Sequence, residues 1–144
     1  MIYYLDASAW VKYYVHEESS LWMEAFWRKS PACACSVLGP IEVMAAIRRR
    51  LSPGRSPLDP IYDQICKQFQ GFQSIPVSFD ILQISRSLIG RHTLRGADFI
   101  HLSSMVYLQR LLDEPITLVA CDAELLVAAA AEQIAVIDPR REAI

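Results

Sequence analysis

The sequence predicts an α/β fold, a parallel β-sheet covered by helices. Short apolar runs typical of strands alternate with longer stretches of helical spacing along the 144 residues. The first run, residues 2–5, is almost continuously apolar, and so is the run at residues 115–121, as suits strands buried on both faces. Because successive parallel strands need a crossover, usually a helix, this alternation favours a parallel sheet.

Each predicted element has its own boundary signals. The predicted strands are residues 2–5, 32–36, 75–77, 115–121 and 134–137, and Pro76 favours an edge position for the third. The predicted helices are residues 8–15, 21–29, 39–50, 58–72, 79–89, 97–112 and 123–131. Ser8 and Ser20 are suitable N-caps for the first two helices, and Pro40 suits the first turn of the third. The cluster of Ser, Pro and Gly at residues 52–57 predicts a turn.

Composition limits the class of protein. With 53% hydrophobic and 21% charged residues the chain is not of disordered type, and its length suits a single domain over residues 1–144. The formal net charge of −2 does not indicate a globally basic nucleic-acid binder, although a local basic patch stays open. No apolar run approaches the ~20 residues of a membrane helix. Asp6 falls where the apolar core of a signal peptide would be, so a cytoplasmic protein without membrane contact is expected.

The cysteines do not form a zinc-finger pattern. They are Cys33, Cys35, Cys66 and Cys121. Only the first two are close in sequence, and no second pair follows at the spacing of a structural zinc site. We expect all four to be small buried residues in a reducing compartment.

Four acids stand at positions that suit a shared site. Asp6 and Asp122 each follow a predicted buried strand, and if those strands are neighbours both carboxylates meet at one edge of the sheet. Glu42 and Asp98 lie near helix starts among residues that should pack. Taken singly, each acid also suits a cap or a favourable interaction with the helix dipole.

Together these carboxylates favour a metal site. Converging carboxylates repel one another, which raises their pKa values unless a cation neutralises them. Oxygen ligands without neighbouring Cys or His select Mg²⁺ or Mn²⁺. Such a site suits metal-assisted hydrolysis of phosphodiesters.

Four stretches match a known family in order along nearly the whole chain. They are residues 4–14, 41–50, 95–102 and 118–126, of which Arg-Gly-Ala-Asp-Phe-Ile-His-Leu at 95–102 is the most specific. The chain resembles the PIN-domain nucleases, and most closely the VapC-like toxins of toxin–antitoxin pairs.

The resemblance implies a three-layer α/β/α PIN-like domain with a five-stranded parallel sheet of order 3-2-1-4-5. It implies that Asp6, Glu42, Asp98 and Asp122 bind Mg²⁺ or Mn²⁺, with Asp6 and Asp98 as direct ligands, Glu42 and Asp122 acting through water, and Ser8 supporting Asp6. The implied activity is endoribonuclease on an RNA substrate. The implied partners are a VapB-like antitoxin and a second copy in a homodimer.

The chain departs from the family pattern at two positions. Ala120 stands where a hydroxyl residue often precedes the fourth acid, which bears on the support of Asp122. Gln133 stands near the place of a usual glycine before the last strand, which affects a turn only.

Three secondary features have two interpretations each. His101 lies one helical turn after Asp98, where a packing residue is favoured over a metal ligand. The basic residues form a phosphate-binding rim or only solvated helix ends; they are Lys12, Arg48, Arg49, Arg50, Arg55, Arg91 and Arg95. The aromatic residues of the first two helices form part of the core or an exposed groove for a dimer mate or an antitoxin helix; they are Trp10, Tyr13, Tyr14, Trp22 and Trp27.

Two other functions compete with a ribonuclease toxin. The first is a PIN-type binding module with little or no catalysis, which the presence of all four acids disfavours. The second is a phosphotransfer enzyme of haloacid-dehalogenase or receiver type. Ser8 stands where the dehalogenase type needs a second Asp, and no lysine follows the last two strands as both types require.

Overall fold

The chain, described here from a computed structural model over residues 1–51 and 57–143, contains a five-stranded sheet. All strand pairs are parallel and the order is β3-β2-β1-β4-β5. The strands are β1 (Ile2–Leu5), β2 (Cys33–Ser36), β3 (Gln73–Ile75), β4 (Ile116–Val119) and β5 (Ala135–Ile137). The predicted fold class and sheet order are confirmed.

Seven α-helices connect these strands within the described residues. They are α1 (Ala7–Trp10), α2 (Ser20–Arg28), α3 (Leu38–Arg50), α4 (Asp59–Gln70), α5 (Phe79–Ile89), α6 (Gly96–Leu112) and α7 (Ala123–Ala131). A 3₁₀ turn, Val11–Tyr13, extends α1. The bounds of α5 and α7 coincide with the prediction. Of the turn predicted at residues 52–57, all but Pro57 lies outside the described residues.

Two apolar clusters cover the two faces of the sheet and make the three layers. Tyr4 and Leu118 belong to the cluster that contains buried residues of α5, α6 and α7. Leu5 and Val119 belong to the cluster that contains buried residues of α1, α2, α3 and α4. Because successive strand residues point to opposite faces, each central strand feeds both clusters, which explains its unbroken apolar sequence.

Several predicted local details are wrong. The N-cap of α1 is Asp6 and not Ser8, since the Asp6 carboxylate already accepts the amide of Ser8. The N-cap of α2 is Ser19, because the hydroxyl of Ser20 is engaged with the backbone of the preceding loop. Of the four cysteines expected to be buried, Cys66 is exposed on the solvent side of α4 and Cys121 is only partly buried.

The third strand lies at the edge of the sheet, as predicted, but two residues earlier than predicted. It ends at Ile75, before Pro76, which has no amide hydrogen to continue the ladder. No helix in the described ranges is both long and apolar enough to cross a membrane.

Gly39 gives a test of the packing between the sheet and α3. A Cβ at this position would overlap the Sγ atom of buried Cys35 and would lie 3.9 Å from the ring of Trp10. We expect Gly39→Ala to lower the free energy of unfolding by about 1–3 kcal/mol, the usual cost of overpacking. Gly96→Ala is the matched control, because a Cβ there meets nothing within 4 Å. Urea unfolding of both variants measures the effect, and equal midpoints for Gly39→Ala and the wild type would contradict this packing.

Candidate metal centre

The carboxyl ends of β1 and β4 bring Asp6 and Asp122 to one edge of the sheet. Leu5 is paired with Val119, and the amide of Asp6 donates to the Val119 carbonyl at 3.0 Å. Asp6 then caps α1, while Asp122 caps α7 by accepting the amide of Leu125 at 3.2 Å. The predicted adjacency of these two strands is therefore confirmed.

The other two acids arrive from helices that start at the same edge. Glu42 lies on α3, which follows β2, and Asp98 lies in the first turn of α6. Asp6, Glu42 and His101 each offer one potential ligand atom, and these three atoms lie within 4.8 Å of one another. Asp98 and Asp122 are not part of that tight group. Their charges still act within the cluster, since Asp122 and Asp6 both raise the pKa of Asp98.

Ser8 joins the ends of the two central strands. Its hydroxyl donates to the Asp6 carboxylate at 2.5 Å and accepts the amide of Cys121 at 2.9 Å. Ser8 thus links the Asp6 carboxylate to the backbone that follows β4. It also fixes the segment that leads to Asp122, where Ala120 contributes no hydroxyl.

His101 lies inside this site, although the sequence favoured a packing residue at this position. It is fully buried, and its Nε2 is hydrogen-bonded to Glu42 and lies 3.8 Å from the Asp6 carboxylate. Its Nδ1 is hydrogen-bonded to the Tyr4 hydroxyl at 2.7 Å. The one available signal was its spacing, because a residue one turn after Asp98 shares a helix face with that acid.

Burial and mutual repulsion disfavour ionisation of the acids. Burial raises the pKa of Asp6, against the opposing effects of His101 and Ser8. Burial, followed by the charges of Asp122 and Asp6, raises the pKa of Asp98 to about 6. Burial lowers the pKa of His101, but the hydrogen bond that its Nε2 makes to the Glu42 carboxylate and the charge of Asp6 outweigh this effect, so the net shift is upward. The site therefore favours added positive charge.

The residues of this site fit a hard divalent cation. The Oδ2 atom of Asp98 is buried and has no hydrogen-bond partner, and the Nε atom of Arg95 lies 3.8 Å away on an exposed side chain. A buried carboxylate oxygen without a partner is costly unless another group satisfies it. Carboxylate oxygens are the ligands that Mg²⁺ and Mn²⁺ prefer.

The basic residues do not form a continuous free rim. Lys12 and Arg50 both lie within ion-pair distance of Glu17, and Arg91 pairs with Glu132. Arg48 and Arg49 are exposed at the end of α3. Arg55 lies outside the described residues. Arg95 lies within ion-pair distance of Asp98.

The aromatic residues of the first helices divide between core and surface. Trp10 is fully buried and stacks on Phe72. Tyr13, Tyr14 and Trp27 are partly buried and line a surface cleft of about 530 Å³ that also includes Ile61 of α4. The Nε1 atom of Trp27 is buried without a hydrogen-bond partner. An aromatic cleft is therefore present beside α2 and α4.

The sheet order and the layers define the class of fold, a PIN-like α/β/α domain. In particular, the chain is similar to three solved structures that each match over nearly the whole chain. A toxin–antitoxin complex from Klebsiella pneumoniae aligns with a TM-score of 0.64 and 17% identity, covering 94% of this chain and 96% of that chain. FitAcB from Neisseria gonorrhoeae aligns with a TM-score of 0.69 and 15% identity, covering 99% and 100%. VapBC2 from Rickettsia felis, bound to a DNA fragment from its promoter, aligns with a TM-score of 0.61 and 14% identity, covering 95% and 98%.

These similarities confirm the fold expected from the resemblance to PIN-domain toxins. The sequence matches no protein-family model, and no curated protein is significantly similar to it. At such low identity the shared feature is the fold. Because a shared fold does not determine function, the function has to be inferred from the chemistry of the acid cluster.

Asp98 gives the site a measurable pH dependence of stability. Its pKa rises from 3.8 to about 6 in the folded protein, so the native state binds more protons than the unfolded state between these values, and stability falls as pH rises through them. A shift of this size corresponds to about 3 kcal/mol, which solvent screening reduces to about 1 kcal/mol. We expect Asp98→Asn to be more stable than the wild type by that amount at pH 8 and by much less at pH 4. Urea unfolding at both pH values measures this difference, and a constant difference would contradict the assignment.

Proposed function

We propose that this protein is a Mg²⁺- or Mn²⁺-dependent endoribonuclease that acts as the toxin of a type II toxin–antitoxin system. The observation that carries the proposal is the position of Asp6, Glu42, Asp98 and Asp122 at one sheet edge, where the buried Oδ2 of Asp98 has no hydrogen-bond partner and burial and the charges of Asp122 and Asp6 raise the pKa of Asp98. The toxin role is supported by the shared fold with a solved toxin–antitoxin complex.

The proposed chemistry assigns a part to each residue. A divalent cation, when bound, supplies the positive charge that an acidic site needs to accept and hydrolyse a phosphodiester. Asp6 and Asp98, both buried, would hold it directly, with Glu42 and Asp122 completing the acidic set. Ser8 holds the Asp6 carboxylate in place.

We expect Arg95 to contact the substrate at the rim of this site. Its side chain is 84% exposed and lies beside Asp98. A cation bound at Asp98 would weaken the attraction between Asp98 and Arg95. The guanidinium group of Arg95 could then bind a phosphate of the RNA, because arginine can donate two parallel hydrogen bonds to phosphate oxygens.

The proposed partners are a VapB-like antitoxin and a second copy of the chain in a homodimer, in the cytoplasm. The aromatic cleft beside α2 and α4 is a suitable surface for the antitoxin. Its half-buried rings and the unpartnered indole nitrogen of Trp27 favour a partner that brings both apolar surface and a hydrogen-bond acceptor.

Incubation of the purified protein with total RNA tests the proposed activity. We expect endonucleolytic fragments when Mg²⁺ or Mn²⁺ is added and intact RNA when EDTA is present. Cleavage that persists in EDTA would contradict the metal requirement. A folded protein that leaves RNA intact with either metal would favour the alternative, a PIN-type binding module.

A further inference from the structure

We infer that His101 is a positioning residue for Glu42: it is held by Tyr4 and aims the Glu42 carboxylate at Asp6. The inference rests on the proposed metal-dependent function and extends it to two residues outside the acidic set. It assigns a purpose to a fully buried imidazole that the acids alone do not explain.

Both ring nitrogens of His101 already have protein partners. Nε2 is hydrogen-bonded to Glu42 and Nδ1 to the Tyr4 hydroxyl. A metal-ligating histidine presents one bare nitrogen to the metal and uses only the other for a hydrogen bond. The arrangement therefore assigns His101 to the layer behind the ligands, although its Nε2 lies within 4.8 Å of the carboxylate oxygens.

Tyr4, in the central strand β1, orients the imidazole of His101 through the hydrogen bond from its hydroxyl group. Tyr4 is fully buried in β1, and its hydroxyl accepts the amide of Ser36 at the end of β2 at 3.0 Å. The Tyr4 and His101 rings also meet edge to face, with centroids 5.8 Å apart. A hydroxyl held by the backbone of one strand thus orients a histidine of α6.

Glu42 needs such support because nothing else described at the site directs it inward. Its side chain is 32% exposed, and it carries the same charge as nearby Asp6. Without a donor on the inner side, repulsion and rotamer freedom favour an outward orientation in solvent. The hydrogen bond to His101 removes that freedom before a metal binds, which is the preorganisation that outer-layer partners provide.

Mn²⁺ titration followed by the EPR signal of free Mn²⁺ tests the inference without using activity. We expect His101→Leu to bind Mn²⁺ about 10–100-fold more weakly than the wild type, the usual effect of losing a partner of a metal ligand. Tyr4→Phe keeps the buried ring and should weaken binding in the same direction. His101→Gln should recover part of the affinity, since its amide nitrogen can donate to Glu42.

A double-mutant cycle separates positioning from a general structural effect. If His101 acts through Glu42, then His101→Leu should cost much less affinity in a Glu42→Ala background than in the wild type. Equal costs in both backgrounds would overturn the inference. Should His101→Leu fail to fold, the same cycle with Tyr4→Phe decides the question.

The remaining outcomes distinguish this inference from the proposed function. If the wild type binds Mn²⁺, Asp6→Asn does not, and both Tyr4→Phe and His101→Leu match the wild type, positioning fails while the metal site stands. A nitrogen coupling in the pulsed EPR spectrum of bound Mn²⁺ that disappears in His101→Gln would make His101 a ligand and would overturn the inference. If the wild type binds no Mn²⁺, the proposed function fails and the inference fails with it.

Discussion

Asp6→Asn should reduce Mg²⁺-dependent RNA cleavage by at least about 100-fold, because loss of a partner behind a ligand already costs 10–100-fold. The carboxylate lies at the centre of the site, within reach of Ser8, Glu42 and His101. Asparagine is as good an N-cap as aspartate, so α1 should keep its cap. The measurement is the initial rate of cleavage of one labelled RNA, with thermal unfolding followed by circular dichroism.

The control for this variant is Asp63→Asn, which removes an equal charge from an exposed position on α4. We expect its cleavage rate and melting temperature to match the wild type. The melting temperature of Asp6→Asn should be unchanged or higher, since one source of repulsion is removed. Wild-type cleavage by Asp6→Asn would reject the assignment of Asp6.

Induced expression of the wild-type chain should arrest the growth of a bacterial host, whereas the Asp6→Asn variant should not. The physical reason is the expected loss of metal-dependent RNA cleavage in the variant. Growth arrest is measured by colony counts after induction. Because Asp6→Asn is expected to fold normally, equal amounts of soluble protein can be compared.

Asp63→Asn again provides the matched control and should arrest growth like the wild type. If wild-type and Asp6→Asn proteins accumulate to equal levels and both are harmless, the toxin role is contradicted even with the fold correct. If both arrest growth equally, toxicity does not depend on the acid cluster.

Local sequence was sufficient for the elements that position the acids. The two central strands were predictable because a strand that is buried on both faces has a continuous apolar sequence. One such run ends directly before Asp6, and the other ends shortly before Asp122. Glu42 and Asp98 stood out because they lie among packing residues at helix starts. Their convergence depended on the sheet order, which the resemblance implied and residue patterns alone did not.

The contacts that sequence could not predict are long-range ones. Tyr4 and His101 are 97 residues apart, and His101 and Glu42 are 59 residues apart, so no local period links them. The prediction that Ser8 caps α1 was wrong for a related reason. Asp6 and Ser8 are both good caps, and the contact of Ser8 with the distant amide of Cys121 is visible only in the fold.

Isothermal titration of Mn²⁺ into the wild type and Asp6→Asn tests most directly whether these acids form a metal site. The expected result is saturable binding by the wild type and at least about 100-fold weaker binding by Asp6→Asn, with Asp63→Asn equal to the wild type. Equal Mn²⁺ affinity of the wild type and Asp6→Asn would contradict the assignment of these acids to a metal site.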